Sequence, residues 1–343
     1  MPDAATWTGP WLGATRRPSL QRVANRPIVC HVLDALISTG VDEVAILSPP
    51  DAHEEVAHCV ARDGPSDLAI RHIVDDRPDD GAALAAVLEL VGGQGCVLHW
   101  ANGLIGAPLA PHALTVAEEG LDALLLVDGN GNSHKRLHLV AEPTAPGAEG
   151  AGAEGSAGVC LLAEGALARL AAEDGQMPPL RDFAAITSEL ARSGARTSVE
   201  PAPRWRQFSG DALDLLEMNR TLLDAIDYEA IPNPGDGNRF EGPILVHPTA
   251  RVSSSVIVGP VIIGEDALIV DSYIGPHTSI AERVRIEGVE LERSIVLADA
   301  SVLHVGGRLV ASVVGREARI FRDFSMPRAL RLQVGDGDEV ALC

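Results

Sequence analysis

The sequence predicts two domains of different architecture, an open α/β domain followed by a parallel β-helix. Three observations predict it. Between residue 27 and about residue 143, helical and strand patterns alternate; from Val246 onward, aliphatic residues recur every six positions; and the stretch between, Tyr228 to Gly242 (YEAIPNPGDGNRFEG), is rich in Pro, Gly and Asn. A chain of 343 residues is long enough for two cores, since a single core stops growing near about 250 residues.

In the first part, RPIVCHVLDALISTG sets Ile28, Val29, Val32, Leu33, Leu36 and Ile37 on one helical face. Val41 to Leu47 reads as a buried strand ending at Pro49-Pro50, followed by a helix over Asp51 to Arg62 and a strand over Leu68 to Val74. Then come a helix over Gly81 to Val91, a strand over Cys96 to Trp100, a helix near His112 to Glu119 and a strand over Leu121 to Val127. Such alternation implies parallel βαβ units in a sheet covered on both faces, with ligands at the carboxyl ends of the strands. PTAPGAEGAGAEGSA, residues 143–157, is of low complexity and is expected to be a flexible loop. Order resumes at Gly158 to Leu162, and a strong helix covers Asp211 to Ile226 behind an SGDAL cap and turn.

In the second part Val246 and Val252, then Ile257, Ile263 and Ile269, then Ile274, Ile280 and Ile286 hold the six-residue period, with Gly259, Gly264 and Gly275 near the corners. Neither a helix nor a hairpin has that period. A parallel β-helix does, each aliphatic side chain entering a triangular core and stacking on the coil above. The expected division is 1–232 for the α/β domain, 233–242 for the linker, 243–330 for the β-helix and 331–343 for a tail.

With 27 Lys+Arg against 48 Asp+Glu, the formal net charge of −21 opposes binding to nucleic acid, and no basic face offsets it. Lys135 is the only lysine. No apolar run reaches the roughly 20 residues of a membrane span, and the N-terminus has no signal-peptide pattern, so a cytoplasmic protein without membrane partners is expected. Cys30, Cys59, Cys96, Cys160 and Cys343 show no ligand or redox spacing and read as four small buried residues and a terminal thiol.

Val23 to Leu47, Gly210 to Leu223 (GDALDLLEMNRTLL) and Ile257 to Leu297 together resemble the long-form glucose-1-phosphate thymidylyltransferases, a branch of the sugar-nucleotide pyrophosphorylases. The likeness runs from about Pro18 to Leu330. It implies a Rossmann-like nucleotidyltransferase domain followed by a left-handed β-helix. It also implies Mg²⁺-dependent attack of a sugar-1-phosphate on a nucleoside triphosphate, releasing pyrophosphate. Such a site needs amide donors for phosphate, cations for the developing charge and carboxylates for the metal.

Set against that pattern, each part departs. In place of the Gly-rich phosphate loop stands GPWLGATRRPSLQRVANRP, where Gly13, Thr15 and Arg16 are an echo without consecutive glycines, and Arg17-Pro18 or Pro18-Ser19 replaces a Pro-Lys. In VLHWANGLIG, Asn102 matches the Asn of the family's Leu-Gly-Asp-Asn, which puts Ala101 at the metal-binding Asp. Counting back from Arg220 puts Phe208, or Gln207, at the second metal Asp. Ala141-Glu142-Pro143 replaces Glu-Lys-Pro, and the base-reading Gln falls near Asp75 or Asp76, ahead of Gly81 and Ala83. Carboxylates there oppose a triphosphate, each by about 4 kcal/mol at about 4 Å and an effective dielectric of about 20.

The resulting expectation is a protein with no catalytic and no metal-binding residues. It is a regulatory or assembly partner of an active paralogue, binding a sugar nucleotide or sugar phosphate if anything, through Arg16, Asp76, Gly81, Ala83, His99, Asn102 and Gly158. No cofactor is expected; Mg²⁺ enters only under the alternative, a divergent enzyme acting on a sugar-1-phosphate or cyclitol phosphate. Asp75, Asp76, Asp79 and Asp80 read as a solvated acidic loop, Arg16 and Arg17 as a solvated arm, and His277 and His304 as turn histidines rather than acyl-transfer bases. The β-helix is expected to mediate homo-oligomer contacts.

Overall fold

The computed structural model describes residues 17–74, 82–128, 156–172, 178–180, 182–226 and 235–322. The chain enters through a two-residue hairpin, β1 (Arg22–Val23) and β2 (Arg26–Pro27), whose turn residues Ala24 and Asn25 have φ of 46° and 64°. Pro27 starts α1 (Ile28–Ile37), which buries Ile28, Val29, Val32, Leu33 and Leu36 of the face that its periodicity predicts, while Ile37, at the last turn, is 39% exposed. Then follow β3 (Glu43–Ser48), α2 (His53–Asp63), β4 (Ala69–Val74), α3 (Ala82–Val91), β5 (Cys96–His99), the short β6 (Gly103–Leu104), α4 (Ala110–Glu119) and β7 (Ala123–Asp128). All but β6, which had no counterpart in the sequence pattern, lie within a few residues of their predicted positions.

The chain then departs from the expected all-parallel sheet. β8 (Ser156–Leu162) runs antiparallel to both β5 and β7 and lies between them. Residues 129–155, between β7 and β8, lie outside the described residues. The first residue of β8, Ser156, falls inside the stretch read as loop. Three further elements had no counterpart in the sequence reading: α5 (Ala166–Ala172), α6 (Phe183–Arg192), capped by Asp182 accepting from the Ala185 amide at 2.8 Å, and β9 (Thr197–Ala202). β9 pairs parallel to β7, which gives a four-stranded sheet ordered β5-β8-β7-β9, while β3 and β4 form a separate parallel pair. β10 (Arg206–Gln207) pairs with β6, and Asp211 caps α7 (Ala212–Ala225) by accepting from the Leu213 amide at 3.0 Å.

Beyond this point the chain winds into five coils. β11 (Arg239–Glu241), β12 (Ile244–Val246) and β13 (Arg251–Ser253) make the first, and three parallel five-stranded ladders run from them along the three faces. The six-residue period becomes contact here: Ile257, Ile263, Ile269, Ile274, Ile280 and Ile286 are at most 1% exposed and share one core with Leu291, Val296 and Val302. The face that begins with β12 packs on the α/β domain, where Ile295 is 2% exposed and joins that domain's hydrophobic cluster with Leu297 and Val313.

Asn219 on α7, fully buried, ties the two domains. Its Oδ1 accepts from the Ala24 amide at 2.8 Å and its Nδ2 donates to the His277 carbonyl at 3.0 Å. Asn25 donates to the Ile280 carbonyl at 2.7 Å, and the His277 ring lies 2.8 Å from Asp224. His277 and His304 both stand at left-handed corners of the β-helix, with φ of 58° and 50°. Of the cysteines expected to be buried, Cys30 and Cys160 are, while Cys59 and Cys96 are partly exposed. Cys343 lies outside the described residues.

Candidate functional site

At the carboxyl end of β5 the segment His99–Asn102 leaves the sheet and meets the segment that leads into α7. Asn102 is buried and is joined to Phe208 at both ends: the Phe208 amide donates to the Asn102 carbonyl at 3.0 Å, and Asn102 Nδ2 donates to the Phe208 carbonyl at 3.3 Å. Gln207 Nε2 reaches Asn102 Oδ1 at 3.5 Å. Two segments more than one hundred residues apart in sequence, those that the sequence resemblance sets against metal-binding aspartates, therefore meet in space through the antiparallel β6–β10 pairing.

The side chains at this junction are aromatic or neutral. Trp100 is pinned by its backbone N–H, which donates to the Gly158 carbonyl at 2.9 Å, and its ring lies 5.7 Å from that of Phe183. Gly158 has φ +57°, and a Cβ there would come 2.6 Å from Trp100 Cδ2 and Cε3. Trp205, 3% exposed, covers Gly103 so closely that a Cβ would lie 2.1 Å from its Cη2. Both contacts need glycine. The His99 ring sits 5.9 Å from that of Trp205; its Nδ1 faces the Trp100 carbonyl at 2.8 Å, while Nε2 is buried and unpaired. Burial pushes the His99 pKa down to about 4, so the imidazole is neutral at pH 7. The Trp100 Nε1–H is buried and unpaired as well.

These contacts test whether the residues present fit a Mg²⁺ ion, which asks for carboxylate and other oxygen ligands. Ala101 and Phe208 offer a methyl and a phenyl group, and Asn102 Oδ1 is already engaged by Gln207. The junction does not fit the ion. Among the described residues no cluster of three or more His, Cys, Asp or Glu is disposed to hold a metal.

Of the candidate residues, the fold brings His99, Asn102 and Gly158 to this one sheet edge. Ala83 is the second residue of α3. Arg16, Asp76 and Gly81 lie outside the described residues, as does the rest of the acidic loop. Arg17, read as part of a solvated arm, is instead folded onto the start of α2, with its side chain 14% exposed. Its guanidinium lies 3.3 Å from Asp51 and 3.1 Å from Glu55 and also donates to the Asp51 carbonyl. Two carboxylates outcompete water for the cation, which the local sequence does not reveal. Sequence reasoning also missed Trp205 and Phe183 as walls of the site; two tryptophans with a glycine opposite each are informative only once the pairing is known.

No protein-family model matches the chain. Among curated proteins, a glucose-1-phosphate thymidylyltransferase of Streptomyces antibioticus is 27% identical over 345 residues, 96% of this chain and 94% of that protein. One from Streptomyces griseus is 26% identical, covering 94% and 92%. The low-salt glycan biosynthesis nucleotidyltransferase Agl11 of Haloferax volcanii is 23% identical, covering 98% and 95%. A solved Bacillus anthracis protein, provisionally described as a glucose-1-phosphate thymidylyltransferase in complex with a sucrose, overlaps loosely: TM-score 0.47 and 14% identity over 62% of this chain and 89% of that one. The chain, which joins an α/β domain to a parallel β-helix, is thus similar along nearly its whole length to two glucose-1-phosphate thymidylyltransferases.

Proposed function

We propose that this protein is a non-catalytic member of the glucose-1-phosphate thymidylyltransferase family, a regulatory or assembly partner in sugar-nucleotide metabolism. One observation carries the reading. The two segments that would each supply a metal-binding aspartate are joined backbone to backbone at Asn102 and Phe208, yet present Ala101, Phe208 and Gln207. Losing one preorganised transition-state group costs about 10²- to 10³-fold in rate, and here the two carboxylates, the phosphate-loop glycines and the lysines depart together. The neutral His99 and the buried indoles of Trp100 and Trp205 make the junction a poor host for two polyanions, because burying charge without partners is costly.

The test is pyrophosphate release from dTTP, UTP, CTP, GTP or ATP with Mg²⁺ and a panel of sugar-1-phosphates. The expected result is no release above a protein-free control. Turnover with any pair overturns the proposal and favours the divergent enzyme, a reading to which the near full-length match to named transferases lends weight. The assembly role further proposes oligomer contacts through the β-helix, where Leu245, Val310 and Phe321 are 45%, 46% and 58% exposed. Sedimentation equilibrium of the chain, alone and mixed with an active relative, measures that directly.

A further inference from the structure

The parallel pair β3–β4 carries two imidazoles where it meets α2. Ile46 on β3 and Ile70 on β4 lie in one cluster with Val56 and Val60 of α2. Side chains two positions further along a strand share the same face, which sets Ser48 and His72 on the side toward α2, and His72 is the register partner of Ile46. His53 is the first residue of α2. Its ring centroid lies 6.1 Å from that of His72, edge-on at 89°. Its Nδ1 lies 3.3 Å from the Oγ of Ser48, a residue 4% exposed. An Nδ1–H donated to that oxygen fixes the ring and leaves the Nε2 lone pair for a ligand, the support that metal-binding imidazoles ordinarily have. The His72 Nδ1 is buried without a hydrogen-bond partner. Burial first, and then the neighbouring His53, lower the His72 pKa, so the ring is neutral at pH 7 and keeps a lone pair to give.

We propose that His53 and His72 form a transition-metal site, two imidazoles holding one Zn²⁺, Ni²⁺ or Cu²⁺ ion between α2 and β4, with water at the remaining positions. The spacing admits a shared ion. At about 2.0–2.1 Å for each metal–nitrogen bond, two coordinated rings have centres at most roughly 6.4 Å apart, and 6.1 Å lies within that span. Turning either ring about its Cβ–Cγ bond draws the pair toward a tetrahedral angle. The donor set selects the metal: Mg²⁺ asks for oxygen ligands, whereas imidazole nitrogen suits Zn²⁺, Ni²⁺ and Cu²⁺, with Cu²⁺ the tightest. The net charge of −21 favours the approach of a cation. A bound ion would clip the start of α2 to β4 and so add to folding stability by mass action. The site stands on other elements than the Asn102–Phe208 junction, and it is independent of whether the protein turns over nucleotide.

The test titrates Ni²⁺ into the full-length chain by calorimetry, for the wild type, His53→Gln, His72→Gln and, as a control on the exposed side of α2, His58→Gln. Circular dichroism checks that each variant is folded. The expected result is a Ni²⁺ site that weakens at least about tenfold in either His53→Gln or His72→Gln, is unchanged in His58→Gln and gives no heat with Mg²⁺. A second measurement needs no variant: with one equivalent of Cu²⁺, the paramagnetic resonance spectrum of the wild-type chain should show coupling to two nitrogens. The proposal is overturned if folded His53→Gln or His72→Gln binds Ni²⁺ as the wild type does, or if Cu²⁺ couples to a single nitrogen or to none.

Discussion

Gly158→Ala probes the packing of the candidate site most directly. At φ +57° an L-residue pays the left-handed backbone penalty, about 1–2 kcal/mol. The added methyl would also lie 2.6 Å from Trp100 Cδ2 and Cε3, where a flat ring has no soft end to yield. Trp100 cannot easily move aside, since Phe183 packs 5.7 Å away and the Trp100 amide is bonded to the Gly158 carbonyl. Overpacking of this kind costs about 1–3 kcal/mol, so the expected total is about 2–5 kcal/mol. Gly165→Ala is the matched control: its φ is +79° and nothing lies within 4 Å of the new methyl, so only the backbone term applies. Urea unfolding followed by circular dichroism and tryptophan fluorescence gives both values, and an unchanged denaturant slope licenses the comparison. Adding Trp100→Leu to Gly158→Ala should recover part of the loss, a coupling that a double-mutant cycle isolates. If Gly158→Ala falls within about 0.5 kcal/mol of Gly165→Ala, or the cycle shows no coupling, the indole does not fill the space over Gly158 and the account of this edge fails.

Three further predictions rest on other parts of the molecule. Asn219→Ala leaves the Ala24 amide and the His277 carbonyl without partners at a buried junction; at about 1–3 kcal/mol for each, a loss of about 2–6 kcal/mol is expected, whereas a change below about 1 kcal/mol would show that water replaces the amide. His31 and His99 are both lowered to about 4 from 6.5, first by burial. The unfolded chain therefore takes up protons before the folded one. Their contribution is complete above about pH 6.5 and is lost as pH falls toward 4, on the order of 3 kcal/mol for each by linkage. Unfolding midpoints measured from pH 7 to 5 should fall, and the slope should flatten in His31→Phe; an unaltered slope would count against a buried neutral imidazole there. In the β-helix, Ile286→Ala opens a cavity at a fully buried ladder position, for about 2–5 kcal/mol, and leaves the α/β domain's own fluorescence change at its wild-type midpoint if the two cores unfold separately.

Apart from the β1–β2 hairpin and β6, the order of elements up to Val127, the amphipathic face of α1, the Asp211 cap and the inward isoleucines from Ile257 to Ile286 were legible in the sequence, for one physical reason. Each is set by contacts between residues close in the chain, or by a period that repeats one contact with its neighbour. Ile257, Ile263 and Ile269 announce a triangular coil because no other backbone geometry presents every sixth side chain to one core. What the sequence could not determine depends on residues far apart meeting. The antiparallel insertion of β8, the pairing of Asn102 with Phe208, the glycines beneath Trp100 and Trp205 and the capture of Arg17 by α2 leave no local periodicity. Each is selected by which surfaces exclude water together and which buried polar groups then find partners, and the assembled tertiary structure alone settles that.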